Sequence, residues 1–188
     1  MGRPRVLAAG SRDMVALPAT TTRHRKAKTM RRRHLLLLLA ALPARARAQE
    51  SEPTHAQPEL PKEKLVIVTR DGVHHEFNVE MATTPRQQQV GEMFRTSVPA
   101  DGGMLFVWPT PHPSPMWMEN TLVPLDMVFI NPDGTIRAIA ENTVPESLAE
   151  ISSHGPVLAT LELAGGITAQ LNITVGDKVL QRVFGNAE

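Results

Sequence analysis

The chain has 188 residues and a formal net charge of +1, a length that suits about one domain. It contains no cysteine, which excludes disulfides, zinc–thiolate sites, iron–sulfur clusters and cysteine nucleophiles. The charge is divided unevenly: residues 1–48 hold twelve of the 20 Lys and Arg residues and one acid, whereas residues 49–188 hold eight bases and eighteen acids. A body with a net charge of −10 argues against nucleic acid as a partner, because phosphates are bound by basic surfaces.

Residues 30–48 have the features of a signal peptide. Three arginines, Arg31 to Arg33, precede the apolar run 35–42, which is too short to span a bilayer. Ala46-Arg47-Ala48 is typical of a cleavage site, so we expect cleavage after Ala48 and a mature chain that begins at Gln49. The sequence therefore predicts a periplasmic or secreted protein that meets the membrane only in passing, through its signal peptide.

The segments on either side of the apolar run carry further expectations. The Arg32-Arg33 pair permits twin-arginine export, and ordinary secretion stays open as the alternative. Residues 1–29 show no periodicity, so we interpret Met30 as the true start and the residues before it as a mis-annotated or disordered extension; a long n-region is the alternative. Residues 49–61 contain three prolines among polar residues and are expected to form a disordered linker.

The first predicted elements of the domain are a β-hairpin and a helix. A β-branched strand over residues 65–69 and an alternating strand over residues 73–81 flank Asp71-Gly72, a two-residue hairpin turn. Thr84-Pro85-Arg86-Gln87 is a capping box with proline at the first helical position, and it predicts a helix that ends near Arg95.

The rest of the chain reads as short strands separated by turns. The four prolines of residues 109–115 predict an irregular loop, and residues 142–155 are also predicted as a loop. We expect a mainly β (α+β) fold: a small, mostly antiparallel, barrel-like sheet of about seven or eight short strands with two short helices. The further predicted strands cover residues 103–108, 125–130, 135–140, 157–163 and 178–184, and the second helix covers residues 165–171.

Three ordered motifs resemble the signature of the DUF192 family, also called UPF0127. The resemblance covers roughly residues 65–184, and we expect the domain itself to span residues 62–185. It implies a small, mostly β domain that is often exported and whose biochemical function is unassigned. The matching residues are Met93-Phe94-Arg95 with Gly103-Met104-Leu105-Phe106-Val107, Trp117-Met118-Glu119-Asn120-Thr121 with Pro124-Leu125-Asp126, and Leu161-Glu162-Leu163-Ala164-Gly165 with Val175-Gly176-Asp177.

Two positions depart from the family pattern. Glu92 stands where the family usually has leucine, so we expect this helix face to be more exposed to solvent here. Asn172 replaces a usual glycine, which is compatible with a left-handed backbone because asparagine tolerates that conformation.

Polar side chains inside apolar segments are the best candidates for a site. Asp126 and Glu162 interrupt two of the most apolar strands, and buried carboxylates are costly without partners. We expect Asp126, Glu162 and Asn120 to converge with Arg95 and Trp117 on a pocket for a small polar ligand or a segment of an envelope protein. The alternative is that these side chains only cap loops and satisfy backbone donors inside the sheet.

Two other functions remain open at the level of sequence. Asp126 and Glu162 would be the catalytic candidates if the protein were a hydrolase that acts on envelope material with a carboxylate pair. Met116, Met118 and His112 are the candidate ligands if it were a periplasmic copper-binding protein, although methionine more often fills gaps in a core. We expect no resident cofactor, and the sequence favours a binding module over an enzyme.

Overall fold

The computed structural model describes residues 51–187. The predicted extension 1–29 and the predicted signal peptide 30–48 lie outside the described residues. Among residues 51–187, no helix is long and apolar enough to cross a membrane.

The first hairpin forms as predicted. Strand β1 (Lys62–Val68) pairs antiparallel with β2 (His74–Ala82), and Gly72 takes a φ of 82° in the connecting turn. A β-branched strand and an alternating strand on either side of a turn that needs positive φ determine this unit locally.

Helix α1 (Pro85–Val90) begins as predicted and ends early. The Thr84 side chain accepts from the Gln87 amide, and the Gln87 side chain accepts from the Thr84 amide, which completes the capping box. The expected end near Arg95 is wrong: the helix stops because Gly91 adopts φ 49° and ψ −132°. The chain then continues in turns that hold Glu92 and Met93 beside the sheet.

The proline-rich segment is part of a strand, which corrects the expected loop at residues 109–115. Strand β3 (Met104–Met116) runs through all four prolines and pairs antiparallel with β6, with register shifts after Val107 and after Pro113. Prolines are tolerated at bulges and on edges that need no donor. Here β2 pairs with β3 only as far as Phe106, so the proline-bearing half has a partner strand on the β6 side alone.

The remaining elements follow the predicted order with shifted ends. The loop predicted over residues 142–155 ends earlier than expected. Strand β6 already begins at Ile151, because Ile151 and Ser152 pair with the last residues of β3. The last strand is shorter than expected, because the Gln181 side chain caps a short 3-10 helix. The elements are β4 (Leu125–Ile130), β5 (Ile136–Ala140), β6 (Ile151–Ala164), α2 (Ile167–Gln170), β7 (Lys178–Leu180) and a 3-10 helix (Arg182–Phe184).

The seven strands form one nearly closed, barrel-like sheet. Their order is β5-β4-β6-β3-β2-β1-β7, with a single parallel pair between β2 and β3. The outer strands are joined by a bridge between Thr135 and Lys178 and by a hydrogen bond from the Val179 amide to the Gly134 carbonyl. The predicted mainly β, mostly antiparallel fold with two short helices is confirmed.

The two faces of the sheet have different tasks. Leu105, Val128 and Leu161 face the interior, where they join the main apolar core. Alternate residues of the same strands face the other way, so Met127 and Glu162 lie opposite each other on the outer face. Smaller apolar clusters cover that face, beneath α1 and the turns that follow β3.

Residues 51–61 run along the domain, which corrects the expectation of a disordered linker over this part of 49–61. The Gln57 side chain donates to the carbonyls of Gln87 and Gly91 at the end of α1, where the Gln87 carbonyl also accepts from the Gly91 amide. The Leu60 amide donates to the Glu80 carboxylate at 2.7 Å. This segment therefore holds α1 against the sheet.

Barrel closure makes a testable prediction at Gly134. A Cβ there would lie 2.5 Å from the Val179 carbonyl oxygen, whereas a Cβ at Gly72 would meet nothing within 4 Å. Both glycines have φ above 80°, so an alanine is strained by its backbone at either site. We expect Gly134→Ala to lower the free energy of unfolding by roughly 1–3 kcal/mol more than Gly72→Ala. If urea unfolding shows that both variants lose the same free energy of unfolding, the result would contradict closure of the barrel at Gly134.

Candidate functional site

Asp126 is a structural residue. Its side chain is fully buried, and one carboxylate oxygen accepts from the amides of Asn142 and Gly166, both at 2.8 Å. The other oxygen accepts from the amide of Thr168 at 2.9 Å and from its hydroxyl at 2.6 Å. These four bonds anchor the start of α2 and the end of β5 to β4, and they leave no free acceptor for a ligand.

The expected Asp126–Glu162 pair is wrong. In the β4–β6 ladder, Asp126 lies opposite Leu163 and Met127 lies opposite Glu162. Directly opposed residues share a face and consecutive residues alternate, so Asp126 and Glu162 are on opposite faces of the sheet. They cannot act together on one substrate.

Arg95 is held by a carboxylate that the sequence did not single out. Its two terminal nitrogens donate to the two oxygens of Glu80 at 2.6 and 2.8 Å, and the Glu80 side chain is 4% exposed. Burial raises the pKa of Glu80, but the hydrogen bonds from Arg95 and from the Leu60 amide outweigh burial and leave that pKa below its ordinary value. The alternation of β2 predicts Glu80 on the polar face, whereas the turn after α1 covers it.

Glu92 is buried, which reverses the expectation of an exposed helix face. The residue is 2% exposed, and its Oε2 atom lies 3.0 Å from the Arg95 Nε without the alignment of a hydrogen bond. Burial raises the pKa of this carboxyl to about 7, and the negative charge of Glu80 adds to the shift against the attraction of Arg95. The residue is therefore poised to gain or lose a proton near neutrality.

Glu162 lies beside Glu92 and, unlike Glu92, has no ion pair with Arg95. It is 4% exposed, and its side chain forms no hydrogen bond with any residue from 51 to 187. Burial and the nearby charge of Glu92 raise its pKa well above the ordinary value, and Arg95 opposes the shift. Gly91 passes close above it, because a Cβ there would lie 3.7 Å from the Glu162 Oε2 and 2.9 Å from the Phe106 ring.

Glu92 and Glu162 form the polar base of an open cleft of about 340 Å³, which we call the α1 cleft. Its walls are mainly apolar and aromatic, and both tryptophans of the chain contribute to them. This combination of apolar walls and a few convergent polar groups is typical of small-molecule sites. The lining residues are Pro85, Gln88, Gln89, Val90, Gly91, Glu92, Met93, Phe106, Trp108, Pro115, Met116, Trp117, Thr121 and Glu162.

The structure separates the five residues predicted to converge on a pocket. Trp117, 49% exposed, and Glu162 line the α1 cleft, whereas Arg95 lines a neighbouring polar pocket behind it. Asn120 takes φ 54°, and its carbonyl accepts from the Phe94 amide at 2.8 Å, so it joins the Trp117 loop to the turn after α1. Asp126 lies on the other face of the sheet.

The copper candidates do not meet at the surface. Met118 is fully buried and accepts a hydrogen bond from the Thr143 hydroxyl at 3.1 Å. Met116 packs against the same apolar cluster, and the His112 ring stands edge-on to Trp108. Within the part of the chain that the structure describes, no group of three or more His, Asp or Glu side chains could hold a metal ion.

Comparison with known proteins assigns the family. The DUF192 family model, described as "Uncharacterized ACR", matches residues 66–181. The chain belongs to the DUF192 family. No curated protein matches this DUF192 chain.

Two solved structures are similar to this DUF192 domain. A candidate transcription regulator from Sinorhizobium meliloti is 41% identical, with a TM-score of 0.66, and the match covers 68% of this chain and 99% of that one. A protein of unknown function from Novosphingobium aromaticivorans is 35% identical, with a TM-score of 0.64, over 71% of this chain and 94% of that one. The family resemblance carried by the three sequence motifs is therefore confirmed.

Sequence reasoning missed Glu92 and Glu80 as residues of this region, whereas Trp108 and Trp117 beside the proline-rich segment could be expected to line a cleft. The one available indication was the departure at Glu92, where the family signature has leucine. An apolar residue in the family indicates a buried position, so a glutamate there is a buried carboxyl. The opposite interpretation was drawn because exposure is the usual fate of glutamate.

The buried carboxyl of Glu92 predicts how stability depends on pH. Its pKa is about 7 in the folded chain against an ordinary value of 4.5, so the folded state binds more protons between these values. Stability should therefore fall as the pH rises from about 5 to 7, and Glu162 acts in the same direction. We expect Glu92→Gln to remove roughly 1–3 kcal/mol of that loss. The free energy of unfolding is to be measured by urea unfolding at each pH. If it changes with pH equally in wild type and variant, the result would contradict a raised pKa for Glu92.

Proposed function

We propose that this protein is an exported accessory domain that binds a small ligand, or a segment of a partner, in the α1 cleft. The observation that carries the proposal is a pair of nearly buried carboxyls that line one open cleft: Glu92 Oε2 is buried without a hydrogen-bond partner, and Glu162 forms no hydrogen bond with residues 51–187. Buried polar groups in proteins are nearly always satisfied, and an unpaired carboxyl is costly. A bound group that donates to these two carboxyls would remove this cost.

The walls of the cleft support binding by an amphiphilic group. Phe106 and Trp108 pack with ring centroids 6.1 Å apart, and Trp117 stands half-exposed at the opening. The hydrolase alternative depended on Asp126 beside Glu162, and it loses its geometric basis because these residues face opposite ways. The copper alternative loses Met118 to the core.

Export is supported by the leader. Residues 30–48 combine a basic n-region, a short apolar run and a small-residue cleavage site, and the body that follows is acidic and lacks cysteine. One structural relative is described as a candidate transcription regulator. The acidic body of this chain argues against such a function here, because it would repel DNA. The leader therefore supports the proposal that the cleft lies outside the cytoplasm and meets envelope ligands.

Native mass spectrometry of the chain recovered from a periplasmic fraction tests export and binding together. We expect the mass of a chain that begins at Gln49 and carries a non-covalent ligand. Recovery with residues 30–48 still attached would contradict the predicted export.

Both tryptophans line the cleft, so their fluorescence gives a second readout. Addition of the small-molecule fraction of a periplasmic extract should change the emission of the ligand-free protein. Trp117→Ala should lose the ligand, whereas Leu148→Ala, at a side chain that is 74% exposed and outside the cleft, should keep it. Binding that survives in both variants, or no binding by either readout, would contradict the proposed site.

A further inference from the structure

We infer that the group bound in the α1 cleft is a cation, an ammonium or guanidinium carried on an apolar stem. This inference rests on the proposed function and adds the chemical class of the ligand. It follows from the way charge is shared at the base of the cleft.

Three buried carboxyl groups lie around one guanidinium. Glu80 takes both terminal nitrogens of Arg95, and Glu92 lies at 3.0 Å from the remaining Nε without a formed hydrogen bond. Glu162 makes no hydrogen bond with the described residues at all. The guanidinium of Arg95 is therefore the one positive charge beside three carboxyls, and of the two carboxyls that line the cleft, Glu162 makes no contact with it while Glu92 makes only a poorly aligned one.

The cleft brings no cation of its own. Among the described residues that line it, none is Lys, Arg or His. A ligand that arrives with a positive charge would meet Glu162 and Glu92 directly and would form the stronger, charge-assisted kind of hydrogen bond. A neutral donor would find the same carboxyls but would gain less from them.

The walls select an organic cation over a metal ion. Trp117, Trp108 and Phe106 line the cleft, and aromatic rings of this kind attract organic cations; Met93 and Met116 add apolar surface for a hydrocarbon stem. A hydrated metal ion would gain nothing from these side chains. Hard cations also need several oxygen ligands, and the cleft has two carboxyl groups at its base.

Cation binding should also depend on pH. A bound cation favours ionised carboxylates, so it should release protons from Glu92 and Glu162 and bind more tightly as the pH rises from 5 to 8. The other charges that act on this pair are Glu80, Arg95 and Lys62; the pKa of Glu80 is lowered and that of Arg95 is raised, so both of these groups stay charged across this range.

The test compares a cation with its neutral counterpart in calorimetric titrations of the mature chain. Phenethylamine is expected to bind at least about tenfold more tightly than phenethyl alcohol, which has the same stem. Glu162→Gln should reduce this preference, because only Glu92 then remains as a carboxyl in the cleft, and it should weaken binding of the alcohol less than binding of the amine. Glu150→Gln, at an exposed acid outside the cleft, should change neither titration and controls for the overall charge.

A third probe separates a free amine from a side chain of a partner. Stronger binding of N-acetyl-lysine methylamide than of phenethylamine would assign the cation to a lysine of a partner, and the reverse would assign it to a small amine. Equal binding of amine and alcohol, with both lost in Trp117→Ala, would overturn the cation assignment and leave the cleft as a binding site. Absence of binding by all three probes would also overturn it.

Discussion

The pairing of Arg95 with Glu80 is the interaction on which the site depends. Its two hydrogen bonds, of 2.6 and 2.8 Å, fasten the turn after α1 to strand β2. That turn carries Gly91 and Met93 across the outer face of the sheet, where they form one side of the α1 cleft. Because the guanidinium is committed to Glu80, Glu162 is left buried without a hydrogen bond to the described chain.

Strand alternation divides the sheet between stability and binding. The interior face holds the main apolar core and the four hydrogen bonds of Asp126, which occupy both oxygens of that carboxylate. The outer face of the same strands carries Glu162 and Phe106 into the cleft. A shift of one residue in either strand would exchange the two faces, so the register of the β4–β6 and β3–β6 ladders positions the site.

Local rules explain what could be predicted from the sequence. The first hairpin and the capping box at Thr84 depend on residues that are neighbours in the chain, and both form as expected. The succession of short strands and short connections was also sufficient to predict a mostly β, barrel-like sheet, and the family motifs implied a small, mostly β domain. The strand through the prolines at 109–115 could not be predicted, because it forms only where one edge needs no donor and the other has β6 as a partner.

The candidate site could be predicted from the sequence less well than the fold, because its residues are brought together only by tertiary structure. Asp126 and Glu162 both appear as acids in apolar strands, and only the ladder register shows that one is a scaffold and the other lines a cleft. The burial of Glu80 and Glu92 depends on a turn that crosses the sheet, which has no local signature. Trp117 could be predicted as a cleft residue because it lies in a family motif beside the proline-rich segment, both of which are visible in the sequence.

The most direct test of this account is an NMR titration of the glutamate side-chain carboxyl carbons, assigned with Glu80→Gln, Glu92→Gln and Glu162→Gln. We predict that Glu92 titrates near pH 7, that Glu162 also titrates well above 4.5, and that Glu80 titrates below 4.5. This result would establish one guanidinium shared unequally among three buried carboxyls. Titration of Glu92 and Glu162 together with the exposed glutamates would contradict the account, because it would mean that neither carboxyl is buried at the base of a cleft.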